Sequence, residues 1–234
     1  MAFAEIGNAA QLGQRVNVMI LEKALTLEGE PGAIVDAGGA DSTIKVLASG
    51  ASIIGLDVRG SGIKGENLDS GIYLEKGADG VRVENNVLTG NLFGIILHGC
   101  KDAIVRNNRI ANRDDLRLND RGNGIHTWNN TGTLIEGNTV TGGRDGIYVE
   151  ISHGIAIKGN RFENLRFAVH YMYANNNEVS GNTSIRNHVG FALMYSKNLK
   201  VFGNLSVSDL QHGLMLHTTH KSEVYGNFIY GTGE

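Results

Sequence analysis

Residues 146–182 read GIYVEISHGIAIKGNRFENLRFAVHYMYANNNEVSGN and contain two copies of one pattern. A small residue followed by alternating apolar positions occurs at GIYV (146–149) and again at AVHY (168–171). Each is followed by a second motif, IKGN or VSGN, and both motifs recur after 22 residues. An internal repeat of this length indicates a solenoid in which each unit stacks on the next.

The same two motifs continue on both sides of this stretch. The small-residue motif begins at Gly71, Gly94, Gly124, Gly146, Ala168, Gly190 and Gly213. The second motif ends at Asn86, Asn108, Asn138, Asn160, Asn182, Asn204 and Asn227. Both series advance by 22 or 23 residues, with one step of 30 at the same place. Because two independent markers share the spacing and the insertion, the repeat is not a chance pattern.

Each unit contains short apolar-alternating segments separated by Gly and Asn turns, and no helical period of 3.6 is present. We therefore predict an all-β fold, a right-handed single-stranded parallel β-helix whose coils lie about 4.8 Å apart. A leucine-rich repeat has a similar period, but its leucine frame is missing. The seven asparagines of the second motif are predicted to form an internal amide ladder, since asparagine tolerates turn conformations and bonds well between coils.

The repeat suggests a division of the chain into two parts. Residues 1–26 are predicted to be a poorly defined N-terminal cap or leading strand, and residues 27–234 to be β-helix coils. The eight-residue insertion falls in a charged loop at 111–123, and loops on repeat scaffolds often carry contacts. The final residues, GTGE (231–234), follow a ladder motif without a polar cap, which predicts a truncated fragment.

Composition excludes several classes of protein. The 33 glycines lack a G-X-Y period and accompany a single proline, so the chain is neither collagen nor a proline-rich linker. A net charge of −3 argues against general nucleic-acid binding, which requires a basic surface. One cysteine, Cys100, excludes an internal disulfide framework. No apolar run is long enough to predict a membrane span, and no export signal is visible.

Alternation along the small-residue strands predicts two outward columns of side chains, with one residue per coil. The first column is Tyr73, Ile96, His126, Tyr148, His170, Ala192 and Met215. The second column is Glu75, His98, Trp128, Glu150, Met172, Met194 and His217. A solvated β-helix face usually carries Thr, Ser, Lys and Asn, whereas this face is rich in histidine, methionine and aromatic residues.

Thioether and imidazole groups suit a soft monovalent copper ion, so this face is a candidate site for transient Cu(I) binding. The candidate ligands are His170, Met172, Met194, Met215 and His217. The surrounding residues are predicted to form a partner or ligand face: His126, Trp128, Tyr148, Glu150, Arg144, Asp145, Arg166, His188 and His212. A metal-free surface that packs against a partner protein explains the same residues equally well.

A third interpretation is a polysaccharide-active enzyme, because right-handed β-helices commonly include lyases, hydrolases and uronate epimerases. Acid–base chemistry on a sugar requires paired carboxylates or a Tyr/His pair within reach of one carbon. Glu150 has no carboxylate beside it on an adjacent coil, since Trp128 and Met172 flank it. The methionines have no evident task in sugar chemistry, so a non-catalytic role is favoured over the enzyme.

Five runs of sequence resemble the NosD family. They are GNLFGIILHG (90–99), RGNGI (121–125), GRDGIYVE (143–150), NRFENLRFAVHYMYANNNEVSGN (160–182) and NHVGFALMYS (187–196). The similarity extends from about residue 27 to the end of the chain. It implies a periplasmic β-helix accessory protein of nitrous oxide reductase maturation in denitrifying bacteria, without catalytic activity of its own.

The resemblance also implies partners. These are an ABC transporter made of an ATPase (NosF) and a membrane subunit (NosY), a copper chaperone lipoprotein (NosL) and nitrous oxide reductase itself. It implies copper as the metal that is handled, and it strengthens the assignment of the Met/His face to that metal.

Overall fold

The computed structural model describes residues 2–6 and 19–233, and three long parallel sheets dominate it. Each coil contributes one strand to sheet A, one to sheet C and one to sheet B, in that order along the chain. The helical elements of the described part are two single 3-10 turns, Gly65–Asn67 and Leu118–Asp120. The predicted all-β parallel β-helix is confirmed.

All three sheets consist of short strands, which pair in parallel from coil to coil. Sheet A contains β1 (Ala2–Ile6), β3 (Leu25–Gly29), β6 (Ser52–Ile54), β9 (Arg82–Glu84), β12 (Ile104–Arg106), β15 (Leu134–Glu136), β18 (Ala156–Lys158), β21 (Glu178–Ser180), β24 (Lys200–Phe202) and β27 (Glu223–Tyr225). Sheet B contains β2 (Met19–Leu21), β5 (Ile44–Val46), β8 (Ser70–Leu74), β11 (Phe93–His98), β14 (Ile125–Trp128), β17 (Asp145–Glu150), β20 (Phe167–Met172), β23 (Val189–Met194) and β26 (His212–His217). Sheet C contains β4 (Ile34–Asp36), β7 (Asp57–Arg59), β10 (Val87–Thr89), β13 (Arg109–Ala111), β16 (Thr139–Thr141), β19 (Arg161–Glu163), β22 (Thr183–Ile185), β25 (Leu205–Val207) and β28 (Phe228–Tyr230).

The interior is filled by stacks of apolar side chains from successive coils. One such stack on sheet A is fully buried and consists of Ile53, Val83, Val105, Ile135, Ile157, Val179 and Val201. Burial of one such side chain contributes about 1.5–3 kcal/mol, so stacking one coil on the next supplies much of the driving force. The alternate positions of each strand are thereby directed outward.

An asparagine ladder joins the coils at the turn between sheets A and C. Each side chain from Asn86 to Asn204 donates from Nδ2 to Oδ1 of the ladder residue on the next coil, at 2.9–3.0 Å. The same Oδ1 also accepts the backbone N–H of the preceding ladder residue, as between Asn138 and Asn160 at 2.8 Å. The residue before each ladder position has a positive φ, for example 59° at Gly159, which explains the Gly or Asn found there.

The structure places strands on both sides of the predicted boundary at residue 27. Strand β2 and the start of β3 lie within the predicted N-terminal segment 1–26, and both belong to the sheets. Residues 1 and 7–18 of that segment, and Glu234 at the other end, lie outside the described residues. The boundary itself therefore stays a prediction.

Candidate functional site

The outward face of sheet B carries two regular columns of side chains. Strand pairing puts Tyr73, Ile96, His126, Tyr148, His170, Ala192 and Met215 in register, one per coil. It also puts His98, Trp128, Glu150, Met172, Met194 and His217 in register beside them. Neighbours in a column are about 4.8 Å apart along the solenoid, so each side chain can contact the next.

One end of this face is covered by loops. Leu116, in the charged insertion at 111–123, and Leu68, in the segment before β8, pack against a small cluster of Leu92, Phe93 and Ile96. The guanidinium of Arg121 donates to the backbone oxygens of Leu116 and Asp114, and thereby holds the insertion in a folded shape. The insertion therefore covers the outward face of sheet B at β11.

Met172, Met194 and His217 form the uncovered part of the second column. Met172 pairs with Met194, and Met194 pairs with His217, on three successive strands of sheet B. Both methionines are half-buried and His217 is exposed. Nε2 of His217 lies 3.2 Å from the hydroxyl of Tyr195, so its Nδ1 is the nitrogen left for another partner.

These three side chains fit the donor chemistry of a soft cation. Two thioethers and an imidazole are ligands that Cu(I) favours, and register brings all three to one side of the sheet. The described residues contain no group of three His, Cys, Asp or Glu side chains placed to hold a metal ion. The three candidate donors are therefore soft ligands on a partly open part of the face.

The other two candidate ligands are placed differently. Ala192 separates His170 from Met215 in the first column, so those two side chains lie two coils apart. His170 is on the same face of the same strand as Met172, two residues before it, but His170 is buried whereas Met172 is half-buried. His170 therefore belongs with Met172, whereas Met215 lies beside His217 at the other end of the candidate set.

A buried ion pair lies directly beneath His170. Asp145 is fully buried and accepts two hydrogen bonds from Arg166, at 2.7 Å from Nε and 2.6 Å from Nη2. Its Oδ2 also lies 3.1 Å from Nδ1 of His170. Burial by itself would raise the pKa of Asp145, but the hydrogen bonds from His170 and Arg166 outweigh it, so the pKa is lowered and the carboxylate is ionised.

Asp145 was expected on the partner face, and the structure corrects this. The side chain cannot reach a partner, because none of it is exposed and Arg166 occupies both of its oxygens. Arg144 and Arg166 are partly exposed above it, and the Arg166 guanidinium lies 4.5 Å from the ring of Phe167. Asp145 is therefore a support of the face, not a part of its surface.

His126 and Tyr148 continue the first column as neutral groups. Burial, assisted by the charge of Arg144, lowers the pKa of His126 to about 4. Both ring nitrogens are buried and lack hydrogen-bond partners among the described residues. The rings of His126 and Tyr148 lie 4.9 Å apart, and burial raises the pKa of Tyr148 to about 12. This part of the face is an aromatic packing surface with little capacity to bind an ion.

The other end of the second column is also aromatic. The rings of His98 and Trp128 lie 4.4 Å apart, and the Tyr73 hydroxyl lies 3.0 Å from Nδ1 of His98. The indole of Trp128 is 40% exposed, and the adjacent Glu150 is half-buried. Trp128 and Glu150 are thus accessible to a partner, as are the exposed residues His188, in a bend before β23, and His212, at the start of β26.

The sequence analysis missed a row of exposed side chains in the turn that follows β17, β20 and β23. Ile151, Tyr173 and Tyr195 all have positive φ, at 46°, 56° and 49°. The tyrosine rings stack 5.2 Å apart. Gly99 and Asn129 occupy the same turn on earlier coils, and such residues adopt this conformation without strain. Bulky residues at a position suited to Gly or Asn were the available signal.

The fold is that of a parallel β-helix solenoid that presents a Met/His-rich face on sheet B. The chain belongs to the NosD family, described as periplasmic copper-binding protein, whose model matches residues 8–116 and 110–234. No helix of the described residues has the length and apolar character needed to span a membrane.

Two curated relatives carry the name "Probable ABC transporter binding protein NosD". The protein from Pseudomonas aeruginosa is 36% identical and that from Stutzerimonas stutzeri 33% identical, each over 134 residues. The match covers 57% of this chain and 31% of each relative. The chain thus spans about a third of the length of the curated relatives that it matches.

Solved structures with the same fold include a tailspike protein and a polygalacturonase. A crystal structure of the Dettilon tailspike protein has a TM-score of 0.71 at 16% identity, covering 96% of this chain and 58% of that one. A polygalacturonase from Erwinia carotovora has a TM-score of 0.66 at 12% identity, covering 90% of this chain and 71% of that one. At these identities the similarity concerns the fold alone.

Proposed function

We propose that this chain is a copper-handling and docking part of a periplasmic NosD protein, without catalytic activity of its own. The observation that carries the proposal is the direct register of Met172, Met194 and His217 on three successive strands of sheet B. Copper is the cargo here, and its monovalent ion is the form that this donor set favours.

The half-open position of these donors suits transfer of a metal. Met172 and Met194 are half-buried and His217 is exposed, so a partner protein can approach them directly. A closed tetrahedral cage would retain its metal, whereas two or three soft ligands on an open sheet allow exchange between proteins. The apolar turn residues Tyr173 and Tyr195 border the donors and provide contact area for such a partner.

The partners follow from the family. Because two relatives are named as ABC transporter binding proteins, we propose that this chain docks on an ABC transporter, with NosF as the ATPase and NosY as the membrane subunit. In the same scheme the lipoprotein NosL delivers copper, and nitrous oxide reductase is the recipient of the assembled copper site.

The polysaccharide-enzyme alternative has less support from the side chains. Asp145 is bound by Arg166 beneath the surface, and Glu150 is flanked in register by Trp128 and Met172. This part of the face therefore lacks the two reachable carboxylates that flank the scissile bond in most glycosidases. A docking scaffold without metal requires neither catalytic carboxylates nor metal ligands. A Cu(I) titration therefore distinguishes this scaffold from a copper-handling protein.

The test is an anaerobic Cu(I) titration of the purified chain against a competing chelator. We expect binding by the parent chain and its loss in a Met172→Leu/Met194→Leu variant, because leucine retains the apolar volume without the sulfur. Met19→Leu is the matched control, since Met19 is a half-buried methionine on β2 of the same sheet and lies far from the candidate donors. A folded parent chain that binds no Cu(I) would leave the metal-free docking scaffold.

A further inference from the structure

We propose that Asp145 is a positioning residue that fixes His170 as a ligand of the copper cargo through Nε2. The inference rests on the copper-handling function proposed above and adds to it an anchoring nitrogen. The observations that support it are the contacts of the buried Asp145 carboxylate, which has no other role in the proposed function.

The first step concerns the proton on the imidazole of His170. Oδ2 of Asp145 lies 3.1 Å from Nδ1. Asp145 accepts two N–H groups of Arg166, so it is also an acceptor toward the imidazole, and Nδ1 is the nitrogen that donates to it. Nε2 is then the nitrogen left for a metal. Nε2 has no hydrogen-bond partner among the described residues, although His170 as a whole is 9% exposed.

The second step concerns the orientation of the ring. The imidazole is held between Tyr148, at a centroid distance of 4.9 Å, and Phe167, at 4.8 Å. Arg166 bonds to Asp145 and also lies over the ring of Phe167, so it immobilises both supports of the histidine. Histidines that bind metals almost always donate their other N–H to such an oriented acceptor.

The third step concerns the neighbouring donors. Met172 is two residues further along the same strand, on the same face, and Met194 pairs with Met172 on the next coil. The residue that pairs with His170 is Ala192, which offers no donor atom of its own. The structure therefore combines one fixed imidazole with two flexible thioethers, a set of three donors for one monovalent ion.

His126 shows that this arrangement is specific to His170. It occupies the same column, but both of its nitrogens are buried without partners among the described residues. The residue equivalent to Asp145 on the coil before His126 is Phe93, which precedes the small residue Gly94, so an aromatic ring stands where His170 has a carboxylate. His126 therefore has neither an acceptor that fixes its proton nor a nitrogen open to a metal.

The decisive variant is Asp145→Asn, assayed in the full chain by Cu(I) competition with a chelator. Loss of the carboxylate is expected to weaken Cu(I) binding about 10- to 100-fold, the usual effect of removing a support of a metal ligand. Asp209→Asn is the matched control, because Asp209 is also fully buried but bonds to Ser184, Ser206 and Asn187, with no histidine contact. Circular dichroism checks that both variants retain the fold.

A second measurement uses the parent chain alone, in case Asp145→Asn does not fold. Ring ¹⁵N resonances of His170 are expected to show a proton on Nδ1 before metal is added, and a shift of Nε2 on addition of Cu(I). An Nε2 resonance that does not move, or an Asp145→Asn variant that binds as tightly as the parent, would overturn the role of Asp145. Dependence of binding on Met172 and Met194 with unchanged binding in Asp145→Asn would refute this inference and leave the proposed function standing.

Discussion

Tyr173 and Tyr195 stack face to face on neighbouring coils, with ring centroids 5.2 Å apart and planes inclined by 20°. Both backbones are in the left-handed region, at φ of 56° and 49°, so the pair forms at a position where most side chains are strained. Stacking contributes about 0.5–1.5 kcal/mol and offsets part of this cost. The preceding coil has Ile151 in the same turn. Its backbone is also left-handed, but its aliphatic side chain cannot form an aromatic stack.

Replacing Ile151 with asparagine is therefore expected to stabilise the protein. Asparagine tolerates a φ of 46° far better than a β-branched side chain, and Ile151 is 44% exposed, so little apolar burial is lost. We expect the free energy of unfolding to rise by about 0.5–1 kcal/mol in urea denaturation. Ile151→Val is the control, because valine retains the strain. Equal stability of the two variants would argue against strain in this turn.

The asparagine ladder makes a central rung costly to remove. Asn160→Ala deletes the acceptor for the backbone and side chain of Asn138 and the donor to Asn182, all of them buried. Each orphaned buried group costs about 1–3 kcal/mol, so we expect a loss of about 2–5 kcal/mol in the free energy of unfolding. Asn227→Ala, at a more exposed rung, should lose less. Equal losses in urea unfolding at both positions would contradict a ladder whose strength comes from burial.

His126 should make the stability of the chain depend on pH in mildly acidic solution. Its pKa is about 4 in the folded state and 6.5 in a model peptide, so the unfolded state binds more protons between these values. Above pH 6.5 the contribution of neutral His126 to the free energy of unfolding is fully present. This contribution falls by about 3 kcal/mol in all as the pH decreases to about 4. Urea unfolding from pH 7 to 4 measures this. His126→Phe should flatten that part of the curve, and an unchanged slope would exclude His126 as its source.

Cys100 should be inert in the native protein. Its side chain is fully buried, and burial raises the pKa of the thiol to about 12, so almost none is thiolate at neutral pH. We expect alkylation by iodoacetamide at pH 8 to be slow and to become fast in urea. Mass spectrometry of timed samples gives both rates. Rapid labelling of the native protein would indicate that the turn after β11 opens locally, without global unfolding.

The sequence predicted those features that repeat with the coil. Asn138 and Asn160 lie one step apart, as do Met172 and Met194, so counting residues is enough to place them side by side. The fold and both columns of the face follow from this arithmetic. Repetition of a motif says which residues are neighbours, since stacking imposes the same geometry on every coil.

Features confined to one coil could not be predicted from the repeat. The contact of Asp145 with Arg166 and His170 depends on side-chain direction at a strand end, and no other coil has an aspartate there with an arginine and a histidine above it. Burial of both nitrogens of His126 depends on tertiary packing, which residue spacing does not reveal. The register of the candidate donors was therefore predictable, but the contacts of their side chains were not.

The extra length at the insertion leaves the alignment of the strands intact. Ile95 pairs with Ile125 across a step of 30 residues just as Ile125 pairs with Ile147 across a step of 22. The separation of side chains along the axis is thus independent of how much polypeptide lies between them. For protein engineering, new loops can therefore be grafted at this bend to change which molecules reach the surface. The spacing of side chains along the sheet is preserved when the loop changes.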